Sequence, residues 1–94
     1  MGNSKNVLVV GAGFTGAVVA RKLVEAGHKV KIIDERDHVA GNCHTERHAE
    51  TGVMLHVYGP HIFHTDNQQV WDFLAGHCKM MPYLHQVRAN VAGK

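Results

Sequence analysis

Apolar residues gather first at Val7-Leu8-Val9-Val10. The run is short, β-branched and ended by glycine. It reads as a strand over residues 6–10, buried on both faces of a parallel sheet. Ala17, Val18, Ala20, Leu23 and Val24 then recur at helical spacing, with Arg21, Lys22 and Glu25 on the wet face. This predicts a helix over residues 14–26, with Gly27 as its stop. Lys29-Val30-Lys31-Ile32-Ile33-Asp34 reads as a second strand with an acidic tip. The right-handed crossover rule makes the two strands parallel and adjacent. Residues 1–34 therefore form a βαβ unit with short connections.

Further along, the pattern weakens. Residues 35–52 are polar and loop-like, with Gly41-Asn42 as a turn signal. Val53 to Tyr58 reads as a third strand, ended by Gly59-Pro60. Thr65 with Gln68 makes a capping-box pattern, and a helix of about three turns should follow it. That helix turns Val70, Phe73 and Leu74 inward, covers Trp71 in part, and stops near Gly76 to Cys78. From Gln86 to Val91 the chain alternates, with Val87, Ala89 and Val91 on one side, as in a half-buried strand. Ala92-Gly93 then opens a tight turn. A strand that reaches a hairpin turn without a partner leaves an edge unpaired. Residues 1–94 thus read as the N-terminal part of a longer protein. The fold class is α/β, a Rossmann-like βαβ nucleotide-binding unit within an incomplete domain.

Composition narrows the function. Ninety-four residues allow one small domain, and 45% hydrophobic with 19% charged residues is ordinary globular usage. A net charge of +2 is too small to be an electrostatic footprint for nucleic acid. The charge-free stretch from Val7 to Ala20 is too short to span a bilayer. Cys43 and Cys78 stand far apart and form no dense framework, which fits free thiols in a reducing, cytoplasmic setting.

The chemistry lies in Gly11-x-Gly13-x-x-Gly16, which follows a strand and opens a helix. Gly11 permits the tight turn, Gly13 lets backbone approach a pyrophosphate, and Gly16 lets helix pack on strand. The helix N-terminus offers N–H groups and a positive dipole end to phosphates. Asp34, at the tip of the second strand, is placed to accept hydrogen bonds from ribose hydroxyls and to repel a 2′-phosphate. FAD and NAD both use this fingerprint. In many two-dinucleotide flavoproteins the acidic tip leads into a Gly-Gly pair, which here reads Ala40-Gly41 and favours FAD. His61-x-x-His64 has a spacing that metals use but lacks a third ligand at a recognisable offset. No metal site is expected. Its other readings are a polar loop capping backbone groups or a loop against a cofactor ring. No catalytic residue can be assigned within the chain.

Three stretches are specific enough to suggest a family: Val9 to Ala17, Ile32 to His38, and above all Val57-Tyr58-Gly59-Pro60-His61-Ile62-Phe63-His64-Thr65. Asn67 to Trp71 and Met80 to Tyr83 agree with them. The chain resembles the N-terminal region of the bacterial UDP-galactopyranose mutases. That resemblance implies an FAD-dependent isomerase interconverting UDP-galactopyranose and UDP-galactofuranose through a flavin N5–sugar adduct, with the flavin reduced. It implies a product for cell-surface polysaccharides, and a homodimer at full length without nucleic-acid or membrane partners. Gly11, Gly13, Phe14, Thr15 and Gly16 match the pyrophosphate turn. Asp34 and Glu35 match the acidic ribose tip, and Gly41 and Asn42 the second cofactor loop. His61, Ile62 and His64 match the loop beside the isoalloxazine ring. Ala40 departs from the usual glycine, and His85 from a frequent asparagine near the sugar pocket. The phosphate-clamping arginines, the pocket tyrosines and the lid of such enzymes match nothing in residues 1–94. Rival readings are another flavoprotein of the amine-oxidase-like class and a short non-catalytic nucleotide-binding module.

Overall fold

The computed structural model describes residues 2–94, which divide into two units, the first ending at His61 and the second beginning at Ile62. In the first unit, strand β1 (Asn6–Val10) leads through the glycine turn into helix α1 (Phe14–Glu25) and returns as strand β2 (Lys29–Ile33). The two strands pair in parallel, with Asn6 opposite Lys29 and Val10 opposite Ile33. Helix α1 packs on this pair. It ends one residue before its sequence-based limit. The amide of Gly27 then donates to Val24 and that of His28 to Leu23, both at 3.0 Å. This is the Schellman closure, and Gly27 adopts φ +90° to make it.

Burial is less complete than the apolar run implied. Val7 and Val9 are half-buried, and a side chain at Gly16 of α1 would meet Val9 Cγ1 at 3.4 Å, which identifies the helix-covered face. Leu8 and Val10, on the opposite face, stay exposed, Val10 at 76%. β1 is therefore covered on one face here, the face on which α1 packs. Among the described residues, Ala20 is the one buried apolar side chain.

The polar stretch after β2 holds more structure than its composition suggested. A 3-10 turn over Gly41–Cys43 leads into strand β3 (Thr45–Arg47), which pairs antiparallel with β4 (Met54–His56). The strand expected over residues 53–58 is thus real but shorter, and its partner lies in a segment read as loop. Alternation in Thr45-Glu46-Arg47 is invisible because all three side chains are polar and exposed.

In the second unit, helix α2 (Gln68–Ala75) is about two turns long rather than three. Its cap is Asn67, whose Oδ1 accepts from the amides of Gln69 at 3.0 Å and Val70 at 3.2 Å. Thr65 acts one step earlier, its Oγ1 accepting from the Asn67 amide at 3.0 Å. The capping-box reading is corrected accordingly: the helix begins at Gln68, so Asn67 rather than Thr65 stands next to the first free N–H groups. Phe73 and Leu74 are half-buried, whereas Val70 remains exposed. Phe63 stacks on Trp71 at 6.2 Å.

No strand forms over residues 86–91, and Val87 is 84% exposed. The alternating pattern is present, but no second strand pairs with it among the described residues. The turn beyond it does form. Val91 and Lys94 exchange two backbone hydrogen bonds at 3.0 Å, with Ala92 at φ 51° and Gly93 at φ 78°. Positive φ at both central residues is the hairpin type I′ geometry. Replacing Asn67 by Ala should destabilise α2 by about 1 kcal/mol. Hydrogen exchange would show faster loss at the Gln69 and Val70 amides, with the α1 amides unchanged.

Candidate functional site

The site is built from backbone at the mouth of the βαβ unit. Gly11 adopts φ +110° and its amide donates to the Ile33 carbonyl at 2.7 Å, which fixes the turn to the end of β2. Gly13 is the N-cap of α1, and no side chain caps that helix. The amides of the first turn are therefore left for an external acceptor. Gly16 has no room for a side chain, because a Cβ there would run into the Gly11 carbonyl. Helix and turn approach each other along their main chains.

A second loop closes on this turn. The Ala40 amide donates to the Ala12 carbonyl at 2.9 Å. A Cβ at Gly41 would lie 3.0 Å from Gly13 Cα, so glycine faces glycine. Ala40 takes φ 76°, a left-handed conformation that costs an alanine about 1 kcal/mol. The methyl is thus accommodated by backbone strain. Val9, Gly11, Gly13, Phe14, Thr15, Gly16, Ala40, Asn42 and Cys43 are among the residues lining a pocket of about 460 Å³.

Asp34 joins the two loops. Its Oδ2 accepts from the Ala12 amide at 2.7 Å and its Oδ1 from the Arg36 amide at 2.8 Å. These two bonds hold its carboxyl below the usual carboxylate range, the Ala12 bond being the larger cause and Arg36 and His38 adding their positive field. A carboxylate oxygen has a second lone pair, so capacity remains for ribose hydroxyls. Glu35 is exposed beside it. The Arg36 guanidinium turns to Asn42, donating to its Oδ1 at 3.0 Å. Arg36 was not singled out from the sequence; its place two residues after the acidic tip was the available signal.

The structure thus brings Gly11, Gly13, Phe14, Thr15, Gly16 and Asn42 to one pocket, with Gly41 at its back and Asp34 tied to its rim. His61 closes the first unit, its Nδ1–H donating to the Gly59 carbonyl at 3.0 Å, and does not line that pocket. Ile62 and His64 belong to the second unit. Among the described residues, no three His, Cys, Asp or Glu side chains converge as metal ligands, and no helix is long and apolar enough to cross a membrane. The uncapped helix start, glycine clearance and acidic rim have the donor and acceptor chemistry that an adenine dinucleotide needs.

A parallel β–α–β turn with these features defines a dinucleotide-binding protein, and residues 9–76 match the family of NAD(P)-binding Rossmann-like domains. The chain belongs to that family. It is 55% identical over 92 residues to a probable UDP-galactopyranose mutase of Klebsiella pneumoniae, covering 98% of this chain and 24% of the relative. It is 52% identical over 88 residues to a dTDP-fucopyranose mutase of Escherichia coli, covering 94% of this chain and 23% of that protein. A flavin-dependent L-tryptophan oxidase of Lentzea aerocolonigenes is 42% identical over 48 residues, 51% of this chain and 10% of its own. The chain spans about a quarter of the length of the two mutases.

Two outcomes test this geometry. Gly16→Ala should cost about 2 kcal/mol or more, because the clash is with backbone, and denaturant unfolding would measure it. Asp34 binds fewer protons folded than unfolded at low pH, so its contribution to stability is present above the ordinary carboxylate pKa and lost as pH falls through the lowered one. Asp34→Asn should flatten the acid limb of the stability profile below about pH 4.

Proposed function

We propose that this chain is the cofactor-binding part of an FAD-dependent nucleotide-sugar mutase, with UDP-galactopyranose and UDP-galactofuranose as the substrate pair. The observation that carries this reading is the 55% identity to the probable UDP-galactopyranose mutase along 98% of the chain. The pocket geometry supports the cofactor half of it. Gly13, Phe14, Thr15 and Gly16 would receive the pyrophosphate at the start of α1, where the dipole and free amides favour negative charge. Asp34 would accept from the adenosine ribose, already oriented by Ala12 and Arg36. Gly41 and Asn42 would close over the pyrophosphate from the second loop, and His61, Ile62 and His64 would border the ring system. When bound and reduced, FAD would supply a nucleophile for transient covalent catalysis at the sugar's anomeric carbon. This chain's residues contribute binding and orientation to that reaction.

A dTDP-sugar substrate is the second reading, favoured by the 52% identity to the dTDP-fucopyranose mutase. A flavin oxidase is less favoured, because those relatives match about half of the chain. In an assay of the full protein containing these residues, bound flavin and conversion of UDP-galactofuranose to UDP-galactopyranose after dithionite reduction are expected. Turnover of dTDP-fucose alone would move the assignment to the second reading. Peroxide release with an amino acid, and no sugar conversion, would sink both. Gly13→Val should abolish flavin absorbance in the purified protein, because its side chain would occupy the approach to the pyrophosphate.

A further inference from the structure

Five side chains of the first unit form a continuous chain of contacts that the cofactor reading leaves unused. The Arg36 guanidinium lies over the Tyr58 ring, 4.3 Å from its centroid. The Tyr58 hydroxyl meets His38 Nε2 at 2.8 Å. His38 stacks on His44 at 3.9 Å between centroids, with the rings 13° from parallel. His44 Nε2 approaches Glu46 Oε2 at 3.4 Å.

The stack ties the hairpin to the site. His44 immediately precedes β3, and Tyr58 lies two residues past β4. The two ends of the hairpin therefore close around the segment that carries Arg36, His38 and Asn42. Arg36 is the connection to the site, through its amide on Asp34 and its guanidinium on Asn42. A planar guanidinium on an aromatic face is held more firmly than one in solvent.

Hydrogen bonds fix the orientation of the rings. His38 Nδ1 faces the Val39 carbonyl at 2.8 Å and so carries the hydrogen. Its Nε2 therefore accepts from the Tyr58 hydroxyl, which holds the Tyr58 ring under Arg36.

We propose that Tyr58 and the His38–His44 pair are positioning residues for the dinucleotide site, acting through Arg36 on Asp34 and Asn42. The inference rests on the FAD reading of the same pocket. The test is FAD titration of the full apoprotein by flavin fluorescence. Tyr58→Ala should weaken binding about three- to tenfold, the size expected of a partly exposed cation–aromatic contact. Tyr58→Phe should recover most of that loss, because it preserves the face under Arg36. His44→Phe keeps a ring stacked on His38 and should bind more tightly than His44→Ala. His77→Gln, on the second unit, should bind as wild type does. Wild-type affinity in both Tyr58→Ala and His44→Ala would overturn the proposal, as would equal losses in Tyr58→Phe and Tyr58→Ala. Failure of wild-type protein to bind FAD would instead remove the reading it rests on.

Discussion

Everything in the first unit depends on how closely the start of α1 lies against the turn that precedes it. Gly16 abuts the Gly11 carbonyl, and no other residue could occupy that place without moving helix from strand. This approach aims the helix N-terminus at the pocket. The Gly11 amide on Ile33 then locks the turn to the end of β2, where Asp34 begins its own contacts with Ala12 and Arg36. The second loop repeats the device, with Gly41 set against Gly13 and the Ala40 amide on Ala12. Two glycine contacts and one carboxylate thus organise three segments that are distant in sequence.

The βαβ unit was legible because its signals agree at every level. A β-branched run, a helical stripe, a glycine stop and a second strand coincide with the crossover rule, and the structure departs from them by one residue at the end of α1 and one at the end of β2. The hairpin was legible in one strand only: β4 falls within the strand read over residues 53–58, whereas β3 lies in a segment read as loop. Its strands are three residues each, and Thr45-Glu46-Arg47 carries no apolar alternation for a periodicity argument. Residues 86–91 fail in the opposite way. The alternation of Val87, Ala89 and Val91 is clear, but pattern cannot make a strand where no neighbour supplies hydrogen bonds. The cap of α2 was misplaced by two residues because Thr65 and Asn67 are both good caps, and their choice depends on local dihedrals.

The site residues divide along similar lines. Positions defined by backbone need, such as Gly11, Gly13 and Gly16, could be read directly. Asp34 was found by its place at a strand tip, although its bonds to Ala12 and Arg36 could not be foreseen. Arg36, His38, His44 and Tyr58 were missed because side-chain stacks between non-contiguous segments leave no spacing rule behind. A site made mostly of main chain is also compatible with many chemistries. This accounts for partial similarity to oxidases alongside near-full similarity to mutases.

The βαβ unit completes its pairing within residues 6–33. Its contacts therefore close short loops, which carry low entropy cost and form quickly. During synthesis, this segment emerges before the hairpin and α2. The glycine turn can accordingly assemble on the nascent chain ahead of the loop carrying Ala40 and Gly41, which then meets a structure already in place.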